Sequence, residues 1–270
     1  MNDPYQIAPT VEKEITRAIA REFYQEFDSL VESDVIIVGA GPSSLVCGRE
    51  LASRGVKVLI IEQSNHLGGG FWSGGYLMNK ATLAAPAHEI VEKIGVPVKK
   101  VTAGMYITDA PHACSKLIGS ALDAGVKVLN LTVLRDLIIR GEDNRVEGVV
   151  VNYAPVYAMP HGTAHVDPIG LESKIVVDAT GHDAAAVQLL ARRGLYKPVP
   201  GNGAMWVSRS EECVMEKTGE IYPNLYLVGL SVAAVFGTPR MGPAFGSMLL
   251  SGKKGADLIF QKLSKGPARP

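Results

Sequence analysis

The chain has 270 residues, 27 basic and 27 acidic side chains, and a hydrophobic fraction of 47%. This composition supports a folded core, and a neutral chain is not built to bind nucleic acid or anionic lipid through charge alone. Its three cysteines form no CxxC pair and no apolar run reaches about 18 residues, so we expect no disulfide framework, no Cys-rich zinc site and no membrane span, but a cytoplasmic protein.

The first predicted element is an amphipathic helix over residues 10–31, where apolar residues recur at helical spacing between charged ones. Its apolar face is expected to pack on its own chain or, alternatively, on a neighbouring subunit. A strand–helix–strand unit over residues 34–62 follows and implies a parallel sheet. Residues 68–75 form a glycine-rich loop, where the backbone can approach a ligand closely.

The second half of the chain contains a predicted β-rich insertion over about residues 127–173, including a hairpin and then a loop-rich stretch over 154–173. A buried strand is predicted over 174–180 and a final helix over 242–262. Together these elements predict a single α/β domain over residues 1–270. Its fold class is a Rossmann-like dinucleotide-binding fold with an antiparallel β insertion.

The turn between the first strand and its helix carries a dinucleotide-binding fingerprint. Gly39 permits the tight turn, Gly41 lets the backbone approach a pyrophosphate, and Ser44 is small enough for the close packing usually given to a third glycine. Glu62 ends the second strand, where an acidic side chain accepts hydrogen bonds from the adenosine ribose. The pattern predicts an NAD-type nucleotide without a 2′-phosphate.

A second group of polar residues comprises His161, His165, Asp167 and His182. His182 follows the buried strand predicted over 174–180, at the end where open α/β sheets bind ligands. Two imidazoles and a carboxylate suit a non-haem Fe(II) site with open positions. The alternative is structural, with His182 capping the strand and Asp167 closing a turn.

The cysteines give no clear nucleophile. Cys47 and Cys114 lie on predicted helices and are expected to pack in the core, whereas Cys213 lies in a charged segment and is expected to be exposed. If the cysteines only pack in the core, the candidate functional residues are those of the dinucleotide-binding fingerprint and of the His/Asp group.

Three segments, DVIIVGAGPSS, VVDATG and NLYLVG, resemble the layout of two-dinucleotide-binding flavoproteins. In those proteins the last strand usually continues with an Asp that binds the ribityl chain. Here it continues as Gly229-Leu230-Ser231, which argues against an ordinary flavin.

A more specific resemblance is carried in order by VIIVGAGPSS, IIEQSNHLGGGFWSGG, HGTAHVDP, VVDATGHDA and GTPRMGPAFGSMLLSGKKGA. From about residue 10 to 262 the chain resembles the thiamine thiazole synthases. That family consumes NAD, combining its ADP-ribose portion with glycine and sulfur into an ADP-linked thiazole carboxylate. In one branch a cysteine of the protein gives up its sulfur once. In the other, that position is His and the enzyme turns over with sulfide and Fe(II). Here the position is His165, so the resemblance implies the sulfide-using branch.

The resemblance also implies roles for individual residues. Asp167 and His182 match the iron ligands, Asp167 reaching in from an adjacent subunit, and Arg240 matches the residue that holds the glycine carboxylate through its bidentate fork. His165 is either an acid–base group or a third metal contact. The implied NAD contacts are Ala40, Glu62, Gln63, Gly70 and Val133, with His165, Val166, Asp167 and Leu230 contributed across a subunit boundary.

The family assembles as octamers, so the resemblance implies a homo-oligomer with shared active sites. Two rival functions remain. One is a flavin-dependent oxidoreductase of the same fold, and the other is a non-catalytic protein that binds NAD without consuming it.

Overall fold

The computed structural model describes residues 5–160, 163 and 165–265. The chain divides into two compact units, one extending to Glu32 and one starting at Ser33. The first unit contains helix α1 (Glu12–Leu30), which confirms the predicted helix over residues 10–31. Within it, Phe23 stacks on Phe27 with ring centroids 5.9 Å apart. Two expectations stay predictions: the surface on which the apolar face of α1 packs, and the single domain over residues 1–270.

The second unit alternates helices and strands. Its helices in the described chain are α2 (Pro42–Ala52), α3 (His88–Glu92), α4 (Ala110–Asp123), α5 (Ala154–Ala158), α6 (Ala185–Arg192), α7 (Val207–Lys217), α8 (Leu230–Phe236) and α9 (Gly246–Ser264). The strands are β1 (Glu32–Val38), β2 (Val58–Ile61), β3 (Lys80–Ala84), β4 (Val98–Thr102), β5 (Met105–Asp109), β6 (Lys127–Leu129), β7 (Thr132–Arg140), β8 (Arg145–Tyr153), β9 (Ile169–Asp178), β10 (Gly203–Met205), β11 (Gly219–Tyr222), β12 (Leu225–Leu227) and β13 (Pro239–Arg240).

The largest sheet has the order β11-β12-β9-β1-β2-β6, and β8 and β7 extend it from β9. The pairs β1–β2, β2–β6 and β9–β12 are parallel, whereas β7–β8 and β8–β9 are antiparallel. This arrangement confirms the α/β class with an antiparallel insertion. It also shows that β6, placed in the insertion from sequence, belongs to the parallel part.

Strand β9 begins at Ile169, five residues before the start predicted from sequence. Its first half pairs with β8, where Val149 lies opposite Leu171, and its second half pairs with β12 in the core. The first half alternates buried and exposed residues, as an edge-side strand does, while the second half is continuously buried from Ile175. Only the buried second half has the continuous apolar run from which a strand is predicted, so the predicted start is too late.

Several elements were not predicted. Strands β3, β5 and β4 form a separate antiparallel sheet, and β4 is mostly exposed, so it lacks the apolar alternation that marks a strand. The expectation that 154–173 is loop was wrong in part, because α5 occupies its first residues. Cys213 was expected to be exposed but is buried, because α7 turns it inward beside Val214 and directs the charged neighbours outward.

Helix α2 is held by close packing on two sides. Helix α2 lies against the central strands, where a Cβ at Gly48 would be 3.3 Å from Ile60 and 3.6 Å from Ile37. It also meets α9 so closely that a Cβ at Gly252 would lie 2.3 Å from the Ser43 carbonyl oxygen. The first turn of α2 is therefore fixed in position at the end of β1. Among the described residues, no helix has the length and apolar character needed to cross a membrane.

Candidate functional site

A cavity of about 600 Å³ opens where the strands of the parallel sheet end. Val38 ends β1, Ile61 ends β2 and Ala179 follows β9, and all three line the cavity. This edge is where open α/β sheets bind ligands, and the volume is that of a small-molecule site. The residues predicted from sequence that line the cavity are Gly39, Ala40, Gly41, Glu62, Gln63, Gly70, Val133, His182 and Leu230.

The glycine turn between β1 and α2 forms one wall. Gly39 has a φ of +92°, and a Cβ there would lie 2.7 Å from the carbonyl oxygen of Ala179, so a larger residue does not fit. Gly41 caps α2 with a φ of −72°, and a Cβ there would meet nothing within 4 Å. The backbone at Gly41 therefore faces open space. The N-terminus of α2 lies at this wall, where unpaired N–H groups favour an anion.

Glu62 follows β2 and is fixed by two backbone donors. Its Oε2 accepts a hydrogen bond from the Ala40 N–H at 2.8 Å, and its Oε1 accepts one from the Ser64 N–H at 2.8 Å. Each carboxylate oxygen keeps a further lone pair, so the side chain remains able to accept from two ligand hydroxyls. This geometry suits the ribose contact predicted for Glu62.

Asp178, the last residue of β9, is a fully buried carboxylate with five hydrogen-bond donors around it. Oδ1 accepts from the Thr180 N–H (3.0 Å), the Thr180 hydroxyl (2.7 Å) and the Ser231 hydroxyl (3.1 Å). Oδ2 accepts from the N–H groups of Ala186 (2.9 Å) and Val187 (3.3 Å), in the first turn of α6. Burial raises the pKa of this carboxyl above its ordinary value, against the lowering effect of the hydrogen bonds.

The same network fixes the segment that carries His182. The Ser231 hydroxyl accepts from the Gly181 N–H at 2.9 Å, and the Thr180 hydroxyl accepts from the Ala185 N–H at 2.8 Å. His182 lies between these two anchors on a short 3₁₀ turn and is exposed at the cavity. One buried carboxylate therefore sets the backbone on both sides of the imidazole.

One chain does not assemble a complete metal site from its described residues. No group of three His, Cys, Asp or Glu side chains among them is placed to hold a metal ion. His182 and Asp183 line the cavity, but Asp167 is exposed in the segment between α5 and β9 and does not line it. His165 and Val166 lie beside Asp167 on the same exposed segment. The fourth member of the predicted polar group, His161, lies outside the described residues.

Two other predicted residues also lie off the cavity. Ser44 is fully buried behind the cavity wall, while its neighbour Ser43 lines the cavity and makes the close approach to α9. Arg240 is exposed in β13, two residues before Gly242, which does line the cavity. Arg240 is therefore close to the cavity along the chain, but it is not among the residues that line it.

The three cysteines are buried and unpaired, and none of them is among the described residues that line the cavity. Burial raises the pKa of the Cys47 and Cys114 thiols to about 12. This confirms the packing role expected for Cys47 and Cys114, since a thiol of such high pKa is a poor nucleophile at neutral pH.

Part of the cavity wall was missed in the sequence. Thr132 and Leu134 of β7 and Tyr157 of α5 line it together with the predicted Val133. β7 carries only the alternation of an ordinary strand, and α5 is too short for a helical period, so neither signalled a binding surface.

Known proteins resemble this chain over most of its length. Residues 16–245 match the Thi4 family. The chain is 51% identical over 252 residues to a thiamine thiazole synthase of Aeropyrum pernix, covering 93% of this chain and 92% of that protein. It is 42% identical over 249 residues to a thiamine thiazole synthase of Pyrococcus horikoshii, covering 92% of this chain and 97% of that protein.

A solved structure shows the same fold over nearly the whole length. The crystal structure of Thermovibrio ammonificans THI4 superposes with a TM-score of 0.90 at 37% sequence identity, covering 95% of this chain and 100% of that one. From the family match and these identities, the chain belongs to the Thi4 family.

Proposed function

We propose that the chain is a thiazole synthase that makes an ADP-linked thiazole carboxylate, the thiamine precursor, from NAD, glycine and sulfide with Fe(II). The observation that carries this proposal is the cavity itself. In a member of the Thi4 family, it brings together an anion-binding glycine turn, a fixed carboxylate and an exposed imidazole. The curated relatives are named thiamine thiazole synthases.

NAD is proposed to lie across the ends of β1 and β2. Its pyrophosphate faces the Gly41 turn, because the backbone there is open and the N-terminus of α2 favours negative charge. Its adenosine ribose faces Glu62, whose oxygens keep free lone pairs. The reacting ribose is proposed to lie toward His182, which also lines the cavity.

The proposed reaction begins when water replaces nicotinamide at the anomeric carbon of the ribose, which then opens to its carbonyl form. The glycine amine condenses with this carbonyl to an imine, releasing water, and the imine rearranges to a ketone. Arg240 holds the glycine carboxylate, because a planar guanidinium grips a carboxylate bidentately. Addition of sulfide, ring closure and loss of water give the thiazole.

The sulfur is proposed to come from free sulfide. A sacrificial cysteine would have to reach the reacting ribose, but all three cysteines are buried and none is among the described residues lining the cavity. His165 stands at the position where a donor cysteine is found in the other branch. An enzyme that takes its sulfur from sulfide keeps its own cysteines, which is consistent with three unpaired thiols in a reducing cytoplasm.

The residues present suit iron only if two copies of the chain combine. His182 supplies one imidazole at the cavity, and we propose that Asp167 from a neighbouring copy supplies a carboxylate, because Asp167 is exposed and does not line its own cavity. Imidazole and carboxylate are ligands that suit Fe(II), which when bound would supply a binding site for sulfide. The proposed assembly is a homo-octamer with active sites shared between subunits.

The test is an anaerobic incubation of the protein with NAD, glycine, sulfide and Fe(II). We expect several product equivalents per chain and an unchanged protein mass. One equivalent or less, with the protein lighter by one sulfur atom, would refute the sulfide-using assignment. His182→Ala is expected to lose bound iron, while Asp183→Asn, an exposed neighbour on the same wall, keeps it.

The same preparation separates the rival functions. A flavin-dependent oxidoreductase would be yellow and show flavin absorbance. What argues against it is the sequence after the last strand, Gly229-Leu230-Ser231, which lacks the Asp that flavoproteins usually place there for the ribityl chain. A non-catalytic NAD-binding protein would return the nucleotide intact after incubation with all substrates.

A further inference from the structure

One wall of the cavity is explained neither by the glycine turn nor by the segment carrying His182. It consists of Thr132, Val133 and Leu134 from β7, and Tyr157 from α5. β7 pairs with β8 so that Val133 lies opposite Asn152, and α5 follows β8 directly. The hairpin therefore returns the chain to the cavity and brings Tyr157 to the side of β7.

This wall adjoins the residue proposed to bind the adenosine ribose. The Thr132 N–H donates to the Glu62 carbonyl oxygen at 2.8 Å, and the Leu131 N–H donates to the Ser64 carbonyl oxygen at 3.1 Å. Along the cavity the order is thus the Gly41 turn, then Glu62, then the β7 wall with Tyr157. In a bound adenosine diphosphate group the order is phosphate, ribose and base, so the base meets the β7 wall.

The chemistry of Tyr157 suits a base. Its side chain is 58% exposed although it lines the cavity, so a large aromatic surface is left uncovered. The Arg135 guanidinium carbon lies 4.4 Å from the ring centroid, which is within cation–π distance and backs the ring with a positive charge. An aromatic ring supported on one face is a stacking platform for a planar base.

We infer that Tyr157, backed by Arg135, is the platform on which this site stacks the adenine of its nucleotide. The inference rests on the proposed function, since it assumes that an adenine nucleotide occupies the cavity. It adds a specificity determinant: the site selects a purine through the area of the Tyr157 ring.

The experiment measures binding of ADP, which carries the base, ribose and phosphates but cannot be consumed. Tyr157→Ala is expected to raise the Kd of ADP about 5- to 150-fold, the range for loss of one base–aromatic stack. Tyr157→Phe keeps the ring and is expected to stay within about threefold of the parent protein. Tyr153→Ala is the matched control, because Tyr153 precedes the same helix and is 41% exposed but does not line the cavity.

UDP distinguishes a specific contact from general damage. A pyrimidine offers less stacking area, so Tyr157→Ala is expected to weaken ADP more than UDP and to reduce the preference for ADP. If the parent protein binds ADP and Tyr157→Ala binds it equally well, the platform is refuted while the proposed function stands. Equal losses for ADP and UDP would also refute the platform. Failure of the parent protein to bind ADP would refute the proposed function itself, and the platform with it.

Discussion

Replacement of Asp178 by Asn tests whether one buried carboxylate holds the wall that carries His182. The change keeps the size of the side chain and replaces one acceptor oxygen with an NH₂ group. Asp178 accepts five hydrogen bonds, from the backbone N–H groups of Thr180, Ala186 and Val187 and the hydroxyls of Thr180 and Ser231. An amide cannot satisfy all five donors in either of its two orientations.

The expected cost follows from counting the donors left without an acceptor. If the amide oxygen takes the place of Oδ1, the N–H groups of Ala186 and Val187 face an NH₂ group. If the oxygen takes the place of Oδ2, the Thr180 N–H loses its acceptor, while the hydroxyls of Thr180 and Ser231 can rotate. Since an orphaned buried donor costs about 1–3 kcal/mol, we expect Asp178→Asn to lower the free energy of unfolding by about 2–4 kcal/mol.

Urea denaturation followed by circular dichroism measures this loss, and Asp183→Asn is the control. Asp183 is exposed on the same turn, so its change is expected to stay within about 0.5 kcal/mol. Binding adds a second measurement: because the His182 segment depends on Asp178, the Asn variant should also bind Fe(II) more weakly than the Asp183→Asn control. An Asn variant as stable as the parent protein, with unchanged urea dependence, would refute the view that Asp178 holds this wall.

Four further predictions concern the glycine turn and the thiols. Gly39→Ala should lower the free energy of unfolding by about 2–4 kcal/mol, because the residue is left-handed and its Cβ would lie 2.7 Å from the Ala179 carbonyl oxygen. Gly41→Ala should leave the melting temperature unchanged but weaken NAD binding, since its methyl group would enter open space at the cavity. A lower melting temperature with unchanged NAD binding would contradict the proposal that this turn faces the pyrophosphate. Cys47 and Cys114 have pKa values raised to about 12, so they should resist a thiol reagent at pH 8 until urea is added. Since the folded pKa exceeds the ordinary value of about 9, their contribution to stability is complete below pH ~9 and is lost as the pH rises toward about 12, which an alkaline unfolding titration measures.

The strand–helix–strand unit of β1, α2 and β2 could be predicted because local signals there agree with the global structure. The last four residues of β1 and all of β2 are apolar, and Gly39 and Glu62 follow these strands at the sheet edge where the cavity opens. The N-cap of α4 is another such case, since the Asp109 carboxylate accepts from the His112 N–H at 3.0 Å. In each case a residue type with one strong local preference determines the structure around it.

The rest of the site depends on contacts between distant parts of the chain. Tyr157 reaches the cavity only because the β7–β8 hairpin folds back, and its short helix carries no period of its own. Ser44, assigned the close-packing position from sequence, is fully buried, while its neighbour Ser43 makes the close contact with α9, which no local pattern shows. Asp167 is exposed away from its own cavity, so no pattern within one chain could show what it meets.

The segment after β12 shows how one serine hydroxyl helps to hold the wall that carries His182. Here Ser231 is buried, donates to Asp178 and accepts from the Gly181 N–H. The segment therefore binds the backbone beside His182, and the neighbouring Leu230 lines the cavity. An Asp at position 231 would place a second carboxylate against Asp178. Because like charges at that distance repel, the network that holds the His182 segment requires an uncharged hydroxyl at this position.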